Sequence, residues 1–251
     1  MTNVGILHPG AMGIFVASSA QNSDNAVYWA SENRSPQTRG RADKYNLRDA
    51  KTLADLCATC AVIVSVCPPD AAEELARQVV VQSFKGLYID ANAISTQRAA
   101  RIGQAMQANG ARFVDGGIIG GPDWNSTNTQ FFLSGKDAQE AATLFASGPI
   151  QPCVIGDSIG KASALKMCYS AYTKGTTALL CAILATAHGL GVRDELNALW
   201  SADALNVQAE QRAKRVTGRA WRFAGEMEEI ASTFRQAGLP GEFHQAAAEV
   251  Y

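Results

Sequence analysis

An apolar run that breaks into a glycine turn, Val4-Gly5-Ile6-Leu7-His8-Pro9-Gly10-Ala11-Met12-Gly13, limits the folds open to this chain more than any other segment. Apolar residues followed at once by closely spaced glycines read as a strand that turns directly into a helix. In a G-x-G-x-x-G turn the second glycine lets the backbone approach a pyrophosphate and the third lets the helix pack close. Gly10 and Gly13 fill those places, and His8 stands where the first glycine is expected. The helix start adds unpaired N–H groups and the positive end of the helix dipole. His8, Pro9, Gly10, Ala11 and Met12 are therefore the candidate phosphate-binding turn.

The rest of the first 155 residues alternates β-rich runs with helical stretches. Strands are predicted at Val4–Leu7, Ala26–Trp29, Ala61–Val66, Gly86–Asp90, Arg112–Asp115, Gln130–Leu133 and Pro152–Ile155, and helices between them at 37–45, 70–80, 95–109 and 137–146. Short apolar strands separated by helices build a mostly parallel sheet covered on both faces. Beyond Ser158 the segments are rich in alanine and leucine and hold no strand candidate. The pattern predicts an α/β fold: a Rossmann-type, mostly parallel sheet over 1–158, then an all-helical domain over 159–251. The first helix of that domain, about Ile159 to His188, is apolar nearly all round, which predicts burial between domains or subunits.

Basic and acidic residues number 22 and 23, with no run of five like charges. That balance argues against a nucleic-acid or membrane-surface partner and for a small-molecule substrate. No secretory signal and no uncharged stretch of spanning length stand out, and the six cysteines sit mostly in apolar runs, so a reducing cytoplasm is expected. Cys57-Ala58-Thr59-Cys60 has no second pair or nearby His to complete a metal site, so no metal is predicted.

Ligands of an open parallel sheet bind beyond the carboxyl ends of its strands. The second strand ends in Ser31-Glu32-Asn33-Arg34-Ser35. Glu32 could accept from a ribose 2′-hydroxyl, whereas Arg34 with Ser31, Asn33 and Ser35 offers a cation and short donors for a 2′-phosphate. The second equipment is richer, favouring NADP over NAD. Arg39 and Arg41 read as solvated and idle. Cys67-Pro68-Pro69 forms a rigid shelf suited to a nicotinamide ring, with Asp70 as the cap of the next helix and Ser95 as the cap of the one after. Asn92 is the polar candidate at the next strand end. Asp115–Pro122 packs Gly116, Gly117, Gly120 and Gly121 into a predicted loop that is either a tight bend or a cradle for an anion or carbonyl oxygen.

Ser163, Lys166, Ser170, Lys174 and Thr177 follow at three- or four-residue steps and share one face of a helix. Leu165, Met167, Cys168, Ala171 and Tyr172 surround Lys166, so the lysine is predicted to be partly buried. Burial lowers a lysine pKa and suits it to exchange a proton near neutral pH; a lysine snorkelling to solvent is the alternative.

The His8–Gly13 turn, Cys67-Pro68-Pro69, Asp115–Gly121 and Gly160-x-Ala162-x-x-x-Lys166, in that order over residues 3–175, resemble the β-hydroxyacid dehydrogenase superfamily, which includes 3-hydroxyisobutyrate and 6-phosphogluconate dehydrogenases. The short helical tail resembles a phosphogluconate-dehydrogenase-like subgroup. The resemblance implies hydride transfer between nicotinamide and an alcohol or carbonyl, with Lys166 as general acid/base. It implies that Asn92, Ile119, Gly120, Gly121, Ser170 and Lys174 line the substrate and that the C-terminal helices pair subunits into a homodimer. Ile119 replaces a serine often found there and Ser170 replaces an asparagine, which implies a larger or less acidic substrate, with Trp124 and Tyr169 as candidate pocket walls. Imine reductases share the fold but usually carry another residue at the lysine position. A non-catalytic NADPH-binding sensor is the remaining alternative.

Overall fold

The computed structural model describes residues 1–125, 128–202, 204–218 and 220–251. Chain contacts divide it into two compact units, Met1–Lys166 and Met167–Tyr251.

The first unit runs β1 (Asn3–Ile6), α1 (Ala11–Asn22), β2 (Ala26–Trp29), α2 (Pro36–Lys44), β3 (Arg48–Asp49), α3 (Leu53–Thr59), β4 (Val62–Ser65), α4 (Pro69–Val81), β5 (Leu87–Asp90), α5 (Thr96–Ala108), β6 (Arg112–Ile119), β7 (Thr129–Ser134), α6 (Ala138–Thr143) and β8 (Ile150–Val154). Among the described residues these strands form one sheet in the order β3-β2-β1-β4-β5-β6-β7-β8. Val4 of β1 lies beside Val27 on one side and Val62 on the other, both in parallel register. Strand order therefore reverses at β1, and the loops after β1 and β4 flank the crevice where such sheets take ligands. Among the described residues the only antiparallel pairing in the sheet is β6 with β7.

Both faces of the sheet are packed. Ile14, Phe15, Trp29, Phe131 and Phe145 belong to one core cluster. Leu56, Ile63, Tyr88, Ile102 and Phe113 belong to the other. The predicted strands lie within a few residues of those observed. The short β3, whose Arg48 and Asp49 are exposed, carries no apolar pattern to announce it. At α4 the helix begins at Pro69 with Pro68 as its cap, which corrects the expectation for Asp70: that residue sits inside the first turn. Proline suits this place because the first helical N–H has no partner to lose.

The stretch predicted as a glycine loop, Asp115–Gly121, is largely strand. Gly116 pairs with Leu133 and Gly117 with Phe132, extending β6 to Ile119. A Cβ on Gly116 would lie 2.7 Å from the Asp90 carbonyl oxygen and 2.7 Å from the Phe131 ring, so glycine here makes room for packing.

Helix α7 (Lys161–Ser170) carries the chain into the second unit, followed by a π-helical turn (Ala171–Gly175), α8 (Thr176–Gly189), α9 (Arg193–Trp200), α10 (Leu205–Thr217), α11 (Trp221–Gln236) and α12 (Glu242–Val250). The predicted single helix over about 159–188 is thus interrupted by five residues with wider winding, which spacing rules based on 3.6 residues per turn do not anticipate. The apolar circumference of this run is not fully covered within the chain: Leu165, Tyr169, Tyr172 and Leu179 are exposed, Tyr172 by 65%. Among the described residues no helix is long and apolar enough to cross a membrane.

Candidate functional site

The turn after β1 is held by backbone bonds: Leu7 N–H donates to the Val64 carbonyl, and Gly10 N–H donates to the His8 carbonyl at 2.8 Å. Gly10 caps α1 at φ −71°, and His8 is not among the residues of positive φ, so neither needs a glycine backbone. Space decides instead. A Cβ on Gly13 would fall 2.0 Å from the His8 carbonyl oxygen, whereas a Cβ on Gly10 would meet nothing within 4 Å. The open side of Gly10 lies next to the first turn of α1, whose N–H groups lack intrahelical acceptors, an arrangement suited to an anion.

Arg34 lies across this turn, its Nη2 donating to the Leu7 carbonyl at 3.0 Å. Its Nε and the Nδ1 of His8 are buried with no hydrogen-bond partner among the described residues. Burial first, and then the Arg34 charge, lower the His8 pKa to about 4, so the imidazole is neutral at physiological pH. Two orphaned polar atoms beside an open cradle fit an anionic dinucleotide, and the remaining Arg34 donors suit a phosphate. Around it, Asn33 takes a left-handed φ of +57° and Ser35 caps α2 by accepting from Thr38 N–H. Ser31 is buried, its hydroxyl bonded to Asp49, and Glu32 points outward, exposed.

Arg39 and Arg41, expected to be idle, are engaged. Arg39 donates from Nη2 to the Ser31 carbonyl at 2.6 Å and from Nε to the Arg34 carbonyl at 3.3 Å. Arg41 donates from Nη1 to the Pro9 carbonyl at 3.1 Å. Charge patterning alone could not reveal this, because the acceptors are backbone carbonyls.

The next two strand ends are tied together through Asn92. Its Oδ1 accepts from Cys67 N–H at 2.6 Å and its Nδ2 donates to Ser65 Oγ at 3.0 Å, while Asn92 N–H donates to Asp90 Oδ1. The amide therefore fixes the Cys67-Pro68-Pro69 shelf. Asp90 is fully buried, and burial pushes its pKa up to about 7, with the Asp115 charge adding to the rise. The Cys67 thiol is pushed up to about 12 by burial; Cys57 and Cys60 are raised to about 11 and about 12 for the same reason, as expected of small hydrophobes rather than a redox pair.

Asp115, on β6, anchors α7. Its Oδ1 accepts from Ser163 Oγ at 2.5 Å, and its Oδ2 accepts from Ser163 N–H at 3.0 Å and Ser134 Oγ at 3.1 Å. Ser134 Oγ accepts in turn from Ala162 N–H. Gly160 precedes the helix at φ +92°, a conformation that favours glycine. Gly117 lets α7 approach: a Cβ there would be 2.8 Å from the Ala162 carbonyl oxygen and 3.0 Å from the Lys166 Cβ. The half-buried Lys166 is thus set one turn along a helix clamped to β6. At the end of β6, Ile119 is buried; Gly120, at φ +121°, could carry no side chain beside Thr129, and Gly121 opens to free space.

In the second unit, Ser170 and Lys174 converge on Glu226 of α11. Ser170 Oγ donates to Glu226 Oε1 at 2.6 Å and Lys174 Nζ pairs with Oε2. The Lys174 ammonium also sits 4.7 Å from the centre of the Phe223 ring, and Tyr251 donates to its carbonyl at 2.7 Å. Glu226 lies far along the sequence in an ordinary helical pattern, so no local signal marked it. Trp124, a candidate pocket wall, stacks on Tyr45 and meets Phe15 edge-on, both ring centres at 5.1 Å. Tyr169 is exposed.

Residues 3–146 match the family described as the NAD binding domain of 6-phosphogluconate dehydrogenase. Residues 187–251 match a domain of unknown function, DUF1932. An uncharacterized 28.5 kDa protein encoded in the 7S RNA 5′ region of Methanothermus fervidus is 33% identical over 164 residues, covering 65% of this chain and 62% of that protein. Among solved structures, a conserved protein of unknown function, described as structurally similar to 3-hydroxyacid dehydrogenases, superimposes with a TM-score of 0.72 at 27% identity, over 99% of this chain and 97% of that one. The 3-hydroxyisobutyrate dehydrogenase of Salmonella typhimurium shares the fold at a TM-score of 0.75 and 18% identity, over 99% and 92%. The chain belongs to the β-hydroxyacid dehydrogenase superfamily, with the 6-phosphogluconate dehydrogenase type of NAD-binding domain over residues 3–146.

Proposed function

We propose that the chain is an NADP-dependent oxidoreductase acting on an alcohol or carbonyl, with Lys166 as general acid/base. The cofactor supplies the hydride donor or acceptor when bound. The chain's own residues do the rest. Gly10 and the N–H groups of Ala11 and Met12 would hold the diphosphate, Arg34 with Asn33 and Ser35 the 2′-phosphate, and Cys67-Pro68-Pro69, held by Asn92, the nicotinamide end. His8 and Pro9 shape the turn, and Ser31, buried and bonded to Asp49, supports the adenosine end from beneath.

Lys166 would take the hydroxyl proton as the alcohol is oxidised, or give a proton to the carbonyl oxygen as it is reduced. The observation that carries this reading is the Asp115–Ser163 clamp with Gly117 beneath Lys166, which fixes a proton-transfer group on a rigid element. Replacing Lys166 by alanine is expected to lower turnover by about 10² to 10⁴, the usual worth of a general acid/base, while NADPH binding persists. Unchanged turnover across a panel of carbonyl and alcohol substrates with NADPH or NADP would sink the assignment; binding without turnover in the parent chain would favour the sensor reading. The lysine also weighs against an imine reductase.

Substrate polarity follows from two departures. Ile119 offers no hydrogen bond at the end of β6, and in the second unit Glu226 neutralises Lys174 while binding Ser170. We read Gly120 and Gly121 as the backbone contacts of a substrate without a small carboxylate. A homodimer through the helical unit is part of the same proposal, supported by the exposed Tyr172, Leu179, Leu190, Leu199 and Trp221.

A further inference from the structure

We propose that Arg39 and Arg41 are positioning residues of the cofactor cradle with separate tasks, Arg39 for the adenosine 2′-phosphate and Arg41 for the diphosphate turn. The proposal rests on the NADP reading above and adds to it two side chains on α2. Arg39 bridges the Ser31 and Arg34 carbonyls, and Arg34 N–H donates to the same Ser31 carbonyl at 3.2 Å. The four-residue turn is therefore closed at both ends by one guanidinium, with Asn33 held left-handed at its apex. This clasp aims Arg34, whose Nη2 is fixed on Leu7 and whose Nε is buried and unpartnered among the described residues. Loosening the turn would free Arg34 to other rotamers, and the cost would fall on a ligand that needs its charge.

Arg41 reaches a different backbone. Its bond to the Pro9 carbonyl fixes the peptide that leads into Gly10, the residue with open space on its Cα. With Ala11, Ile14, Gln37, Lys44, Tyr45 and Trp124 it also lines a cavity of about 390 Å³ beside the start of α1, and the stacked Tyr45 and Trp124 rings stiffen that wall. Because every dinucleotide carries the diphosphate and only one carries the 2′-phosphate, the two arginines have different signatures.

Fluorescence titration of the full chain with NADPH and with NADH separates them. In Arg39→Met, NADPH affinity is expected to fall about tenfold, the loss of a charged hydrogen-bond pair, with NADH affinity changed less than about twofold. In Arg41→Met, both affinities are expected to fall together by about tenfold, with the salt dependence of binding unchanged and partial recovery in Arg41→Lys, which keeps one donor. The double variant Arg34→Ala/Arg39→Met should bind NADPH no worse than Arg34→Ala alone, since the clasp acts through Arg34.

Retained NADPH preference in Arg39→Met, or an additive loss in the double variant, overturns the Arg39 assignment. A reduced salt slope in Arg41→Met would mean direct contact with the ligand and overturns the Arg41 assignment. Should Arg39→Met fail to fold, judged by its thermal transition without ligand, Arg39→Gln carries the same comparison. A parent chain without preference for NADPH refutes the cofactor reading itself, and with it the role of Arg39; the equal-loss signature of Arg41 then decides that half alone.

Discussion

Gly10 and Gly13 stand one helical turn apart and answer to opposite demands. Gly13 is needed by the fold, because a methyl group there would strike the His8 carbonyl at 2.0 Å; Gly10 is not, because its Cα faces empty space, and in the proposed cradle that space belongs to the ligand. Gly13→Ala is expected to lower the melting temperature or prevent folding. Gly10→Ala should melt like the parent yet lose dinucleotide affinity in titration. Two titrating groups, the half-buried His8 and the fully buried Asp90, also give stability a pH signature. His8 has a folded pKa of about 4, below the ordinary histidine value of 6.5, so the unfolded chain binds more protons between these values and stability at this residue falls as pH drops through the window. Asp90 runs the other way. Its folded pKa of about 7 lies above 3.8, so the folded chain binds more protons, and the stabilisation present below pH 3.8 is lost as pH rises toward 7. Denaturant titrations between pH 4 and 7 should show His8→Asn removing a slope of one sign and Asp90→Asn a slope of the other.

At the scale of elements, α7 shows how a motif becomes geometry. Gly160-x-Ala162-x-x-x-Lys166 works because Gly160 turns left-handed into the helix, Ala162 is buried with its carbonyl close over Gly117, and the lysine follows one turn later. Asp115→Ala would leave the Ser163 and Ser134 donors without an acceptor, at a cost of about 1–3 kcal/mol for a buried donor left unpaired. Gly117→Ala should displace Lys166, lowering kcat more than it changes NADPH affinity, which steady-state kinetics beside titration would resolve. The spacing of residues 160–166 was legible because each step is local. The partner Asp115 was visible only as the last residue before a glycine cluster, and that cluster read as a loop because glycines disfavour strands; the cross-strand pairing that overrides this preference lies in β7. Glu226 and the π turn were illegible for the same reason: a contact across 56 residues and a change of winding leave no periodic trace.

For the molecule as a whole, the alternation of strands and helices and its abrupt end after β8 were readable, since burial on both sheet faces writes continuous apolar runs into sequence. What remained hidden is how the helical unit satisfies its own surface. The exposed apolar side chains of that unit predict a dimer, measurable by analytical ultracentrifugation; a monomer at micromolar concentration would refute it. Ligand linkage offers a second whole-molecule test. NADPH at about a hundred times its dissociation constant should stabilise the folded chain by about 2.7 kcal/mol, seen as a raised melting temperature, if it binds only the folded state.

His8 has a consequence for how such chains are found and varied. Its backbone needs no glycine, and the steric demand of the turn falls on Gly13. The first position of the fingerprint is thus open to drift, and a histidine can settle there within the field of an arginine from the neighbouring strand end. Searches that insist on three glycines would pass over chains of this type, while the pair Gly10 and Gly13, read with an arginine after the second strand, would recover them. The same freedom makes position 8 a place where side chains can be exchanged in a library without rebuilding the turn.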